Sequence, residues 1–180
     1  VTMNHAHSTH YTDTPDPRIP HVLRGWSEEF GVGAEHYLDL GEMLVRNVTT
    51  DIRSFGDVEE NGNSIFVFEV AGLCIGHLGH LHQEPSPQQY GALGRMDVVM
   101  APVDGGYTLD QAVMIRVLQR LRSSIVLPMH WFGQGNLDRF IEGMEGDFLI
   151  DRRETNYIEV SRDTLPRQPT VVVLRPRLLQ

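Results

Sequence analysis

Several things that would place the chain at once are scarce or missing. It has a single cysteine, Cys74, so no disulfide can close within it, and that favours a reducing compartment. No apolar run approaches the roughly 20 residues that span a bilayer. The polar, histidine-bearing start lacks the charged-then-apolar pattern of a secretory signal. Positive charge is also short: Lys and Arg number 15 against 24 Asp and Glu, a formal net charge of −9. Nucleic-acid partners usually meet a basic patch. The denser basic stretches here, Arg116 to Arg122 and Arg175 to Arg177, lie in or beside apolar runs and read as solvated faces. Asn47-Val48-Thr49 matches a glycosylation sequon, but nothing else points to secretion. The expectation is a cytoplasmic protein with a small-molecule substrate, no nucleic acid and no membrane.

What remains is ordinary globular material. With 180 residues, 41% hydrophobic and 22% charged, the chain suits one domain over residues 1–180 with a sizeable core. Pro15, Pro17 and Pro20 force a loop near the start. His21 to Arg24 suits a short strand, and Tyr37 to Thr50 suits two strands turning at Gly41. Residues 56–63 are polar enough to read as a loop. Ile65 to Val70, the turn Ala71-Gly72 and Leu73 to Ile75 read as a hairpin. A short helix is expected after Pro85 and Pro87, and a strand from Met96 to Val103. Thr108-Leu109-Asp110-Gln111 reads as a capping box opening a helix with Leu109, Ala112, Val113, Val117, Leu118 and Leu121 on one face. Ser124 to Leu127 is a buried strand, Leu137 to Met144 a short helix, and residues 157–160 and 170–174 are terminal strands. Strands alternating with helices give an α/β class.

The nine histidines carry the chemical signal. His5, His7 and His10 form one cluster, His77, His80 and His82 another, and His130 follows an apolar strand. Neutral imidazole is the commonest side-chain ligand for zinc and similar metals. A histidine-rich flexible terminus would explain the first cluster, and a satisfied core histidine would explain His130 alone. Three histidine-bearing strand ends in one chain point further, because α/β folds place their sites at such ends. His80 and His82 read as groups behind the ligands or on the surface, with direct contact to metal or substrate as the lesser alternative. Tyr107, Trp131 and Phe132 suit either an aromatic pocket or ordinary packing.

At this point the sequence resembles a known family, the UlaG-like branch of the metallo-β-lactamase superfamily. The resemblance runs from about Val1 to about Leu174 and rests on five motifs in order. Val1-Thr2-Met3-Asn4-His5-Ala6-His7-Ser8-Thr9-His10 resembles a strand followed by H-x-H-x-D-H. Gly62-Asn63-Ser64-Ile65-Phe66 resembles a G-x-N-[ST]-[IV]-F-like strand, and Gly76-His77-Leu78-Gly79-His80 resembles G-D-L-G-H. Pro102 to Asp110 resembles a P-V-G-G-x-Y-T stretch, and Leu127-Pro128-Met129-His130-Trp131 resembles [IV]-P-M-H-[YW]. The chain departs from the family at three places. Thr9 stands where relatives carry a metal-binding aspartate, His77 where they carry the bridging aspartate, and Gly56-Asp57 where they carry a histidine before aspartate.

The resemblance implies an αββα sandwich and a metal-dependent hydrolase using metal-bound hydroxide. It implies His5, His7 and His77 on a main ion, and His10 and His130 on a second ion helped by Asp57, with Thr9 and His10 as catalytic groups. The metal would be zinc, as one or two ions, with manganese or iron fitting the same donors. Relatives carry several strands ahead of the first histidine motif. The expectation is therefore a sandwich lacking its N-terminal strands and completed by a second protein chain, as in a split two-chain enzyme that demethylates 2,4-dinitroanisole. Val1, read as a GTG start, would make this a separately translated subunit. The alternative is a decayed site, in a non-catalytic subunit that serves structure or ligand binding within a hetero-oligomer.

Overall fold

The computed structural model describes residues 1–5, 8–29, 31–54 and 57–177, leaving out the side chains of Ser54 and Asp57. Near the start, β1 (Thr2–Met3) and β2 (Leu23–Arg24) form a small parallel pair. An antiparallel meander follows: β3 (Tyr37–Asp39), β4 (Met43–Ser54), β5 (Asp57–Val70) and β6 (Leu73–His77). The β5–β6 turn uses Ala71 and Gly72, both at positive φ (51° and 75°), as tight hairpin turns require.

From β6 onward the pairing becomes parallel. The chain runs through α1 (Pro87–Leu93), β7 (Val98–Pro102), α2 (Gln111–Leu121), β8 (Ile125–Met129), α3 (Gln134–Met144), β9 (Leu149–Arg152) and β10 (Thr170–Val173). All eight strands from β3 on join one sheet, ordered β3-β4-β5-β6-β7-β8-β10-β9. Because β6, β7 and β8 are parallel, the loops that follow them leave from the same rim. That shared rim brings together residues far apart in sequence.

The two faces of the sheet are covered differently. Along β7 and β8, Val99, Ala101 and Val126 point into the main core, with Met114, Val117 and Leu118 of α2 and Leu137, Phe140, Ile141 and Met144 of α3. Each fully buried Val, Leu, Phe or Met side chain among them contributes about 1.5–3 kcal/mol. Val98, Ile125 and Val172 point the other way, into a smaller cluster roofed by Ile158, Val160 and Leu165. Further along this second face, Phe66, Phe68, Met100 and Met129 line an open cavity.

Three sequence expectations change. Residues 57–63 are not a loop: they extend β5, pairing with β4 from Ser54↔Asp57 to Thr50↔Asn63 across a bulge between Thr50 and Ile52. A hairpin arm exposed to water does not need the apolar alternation that marks a half-buried strand. Residues 157–160 lie over the second face without pairing, and the edge strand is Leu149–Arg152 instead. The cap of α2 is Asp110, whose side chain accepts from Ala112 N and Val113 N, while Thr108 is drawn away to Asp104. Among the described residues the only sheet besides the large one is the β1–β2 pair.

Candidate metal centre

Three imidazoles converge at the rim. One ligand nitrogen from each of His10, His80 and His130 lies within 4.8 Å of the other two. Their ring centroids are 5.2 Å (His10–His80), 5.1 Å (His80–His130) and 6.1 Å (His10–His130) apart. His10 follows β1, His80 follows β6 and His130 follows β8, so the group is made by the topology rather than by local sequence.

Each histidine is delivered by a specific local structure. Asn4 closes a two-way clasp on β5: its Oδ1 accepts from Ser64 N (2.8 Å) and its Nδ2 donates to Ser64 O (3.0 Å). This fixes the strand that leads to His10. His80 is placed by Asn63, which is fully buried. Asn63 Oδ1 accepts from His80 N (2.8 Å), while its Nδ2 donates to Thr50 Oγ1 (2.7 Å) and Leu78 O (3.2 Å). Gly79 turns the chain between them at φ 62°, and a Cβ there would collide with Asn63 Oδ1 and Asn4 Nδ2. His130 itself adopts φ 58° directly after β8, a costly conformation for a residue with a side chain.

Asp104 orients His130. His130 Nδ1 lies 2.9 Å from Asp104 Oδ2, and the carboxylate also accepts from Thr108 Oγ1 (2.6 Å), Tyr107 N (2.5 Å), Gly106 N (2.8 Å) and Thr108 N (3.2 Å). Burial alone would raise its pKa. The bonds from Thr108, His130, Gly106 and Tyr107 outweigh that and hold it far below the usual carboxylate range. An ionised Asp104 makes His130 Nδ1 the protonated nitrogen and leaves the Nε2 lone pair outward. This is the arrangement that metal-ligating histidines commonly show. Three imidazoles, one of them backed by a carboxylate, suit a divalent ion such as zinc. The spacing must tighten toward about 3.3 Å between nitrogens to reach tetrahedral bonds of about 2.0–2.1 Å.

The other expected residues are placed as follows. His5 Nδ1 lies 3.1 Å from Glu59 Oε1, and its ring stacks on Trp26 at 4.9 Å and meets Tyr11 at 5.0 Å. His77 lines the same cavity as the three histidines, but its Nδ1 accepts from Gly79 N at 3.0 Å. Burial lowers its pKa, against a smaller contact with its own backbone, so the ring is neutral and its proton sits on Nε2. Thr9 Oγ1 lies 3.3 Å from His10 Nδ1. His7 lies outside the described residues, as does the side chain of Asp57. Among the described residues, no metal-spaced group contains His5 or His77. Two residues were missed or undervalued by sequence: His80, read as a supporting group, is 4% exposed and inside the trio, and Asp104 was not singled out. The Asp-Gly-Gly turn with a threonine four residues on is the signal that could have found Asp104.

The floor beneath the histidines is a cavity of about 500 Å³, lined by Met3, Phe66, Phe68, Met100, Pro102 and Met129 among others. An apolar hollow with a few convergent polar groups is the usual form of a small-molecule site.

Residues 1–130 match the family described as beta-lactamase superfamily domain. The chain belongs to that superfamily. Among solved structures, it is similar to a candidate Zn-dependent hydrolase of the metallo-beta-lactamase superfamily from Thermotoga maritima, at 22% identity and TM-score 0.64, covering 85% of this chain and 80% of that one. It is also similar to a candidate metal-dependent hydrolase from Parabacteroides distasonis, at 15% identity and TM-score 0.50, covering 62% of this chain and about half (51%) of that one. These likenesses establish the fold, an α/β architecture of the metallo-β-lactamase kind. No functionally curated protein matches the sequence.

Proposed function

We propose that this chain is a metal-dependent hydrolase, or the metal-holding subunit of one, with a divalent ion at His10, His80 and His130. The observation that carries the reading is the convergence of those three imidazoles, within 4.8 Å of one another, from three separate strand ends. The superfamily match supports it. A divalent ion held there supplies Lewis acidity and lowers the pKa of bound water toward 7. The chain's own groups do the rest. Asp104 holds His130 in the tautomer that presents Nε2. His77, with Nδ1 engaged by Gly79, offers its Nε2–H to the cavity as a hydrogen-bond donor and could join an ion only by losing that proton. Thr9 orients His10. The apolar floor holds the substrate and excludes water.

The test is zinc stoichiometry. One tightly held ion per chain is expected, lost in His80→Ala and in His130→Ala but retained in His77→Ala. An apo-like wild type after zinc loading would remove the proposal. A competing reading, the non-catalytic subunit, predicts zinc bound with no turnover in any assembly.

Two finer proposals come from the resemblance. The first is water attacking the ring carbon of a nitro-activated aryl ether, so that the C–O bond to methoxide breaks and methanol and a nitrophenol leave. Release of 2,4-dinitrophenol from 2,4-dinitroanisole by the assembled enzyme tests it directly. The second is a partner chain that supplies strands to the second face of the sheet. Phe68, Met100 and Met129, only half-buried there, support it.

A further inference from the structure

We propose that Tyr107 and Phe132 form an aromatic shelf at the mouth of the histidine site that receives a planar, aromatic part of the substrate. The proposal deepens the hydrolase reading and rests on it, since it needs the reacting bond to lie at His10, His80 and His130. Both rings are among the most exposed large apolar groups described, Tyr107 at 65% and Phe132 at 69%. They are not scattered. They meet edge to face at 5.7 Å and 83°, and Phe132 in turn meets the His130 ring at 4.4 Å. A continuous aromatic path thus runs from solvent to a proposed ligand.

The shelf is built, not incidental. Phe132 sits at φ 48°, two residues after His130 at φ 58°. Between them Trp131 turns back and packs against the main core. The chain therefore accepts an unfavourable backbone to anchor one aromatic ring and display the next, and strain of that kind clusters at ligand clamps. The backbone at Tyr107 is fixed from two sides. Its N–H donates to Asp104 Oδ1, and the neighbouring Gly106 carbonyl accepts from Arg53 Nη2 of β4 at 2.5 Å. The backbone beneath both rings is thus set in place before any ligand arrives, which lowers the entropic cost of binding. Two rings held at right angles offer a face and an edge, the geometry that a third ring completes best. A small aliphatic group would gain little from it. A surface serving only solubility would not display two packed aromatics beside a polar site. The substrate class is therefore an aryl compound, with the ring on the shelf and the bond to be cleaved turned toward the histidines.

The experiment compares phenylphosphonate with methylphosphonate, binding to the zinc-loaded full chain by calorimetry. The wild type is expected to prefer the phenyl compound by about tenfold. Tyr107→Ala and Phe132→Asn, the latter chosen because asparagine tolerates positive φ, should reduce that preference to about threefold or less. Methylphosphonate affinity and zinc content should hold, and Tyr107→Phe should keep the preference. A wild type indifferent to the phenyl group, or a preference that survives the double variant, overturns the shelf while leaving the metal site standing. Loss of zinc in Phe132→Asn also overturns it, because the ring would then serve only to prop His130. A wild type that takes up no zinc removes the hydrolase reading and the shelf with it.

Discussion

Asp104 does its work through charge and position together. It gathers five donors, and one of them fixes the proton on His130. Asp104→Asn keeps the size but removes the charge that favours Nδ1–H. Zinc affinity, read by competition with a chelator, should fall about 10–100-fold, the usual cost of losing a group behind a metal ligand. Unchanged affinity would mean that His130 needs no orientation. Gly79 is constrained differently. An alanine there meets both the left-handed penalty, about 1–2 kcal/mol, and the side chains of Asn63 and Asn4. Gly79→Ala should lower the melting temperature and weaken zinc binding at once, because the same turn carries His80. At this scale His10 and His130 were legible because each ends a recognisable motif. His80 was not, because burial and convergence depend on a turn that only the folded chain shows. His5 was read as a ligand from the motif; its Nδ1 meets Glu59 and its ring packs against Trp26 and Tyr11, and among the described residues it joins no metal-spaced group.

Elements place these residues, and the β5 strand does the most placing. Its Asn63 is fully buried and joins three groups of neighbouring segments: His80 N–H, Leu78 C=O and the Thr50 hydroxyl. Leaving a buried polar group unsatisfied costs about 1–3 kcal/mol. Asn63→Ala should therefore destabilise the chain by at least that much in urea unfolding, with an unchanged m-value. A loss below about 0.5 kcal/mol would show that water takes over the role. Most elements were legible because apolar periodicity and turn residues agree, as at Ala71-Gly72 and along the apolar face of α2. Two were not. The outer arm of the β4–β5 hairpin is polar, so residues 57–63 resemble a loop even though backbone pairing continues through them. Ile158 and Val160 have strand-like residues but spend them roofing the second face, while the edge is taken by Leu149–Arg152.

Across the whole molecule the sheet is covered unequally. One face carries α1, α2 and α3 over a continuous core, and no described helix is long and apolar enough to cross a membrane. The other face is roofed at one end by residues 158–165 and open at the other, where Phe66, Phe68, Met100 and Met129 surround the cavity next to the histidines. Water against such a surface loses about 25 cal/mol per Å² relative to burial. A partner strand layer over it would recover that free energy and would turn an open hollow into an enclosed site, where electrostatic contacts strengthen. If the proposed second chain does this, the isolated chain should bind a hydrophobic dye and self-associate, and co-expression with its partner should abolish both. Met100→Glu should then block the pairing without altering the far-ultraviolet circular dichroism, because a charge on that face costs the interface far more than the exposed monomer. An isolated chain that stays monomeric at high concentration, binds no dye and still turns over an aryl substrate would leave no role for a partner. The open cavity would then be the finished site.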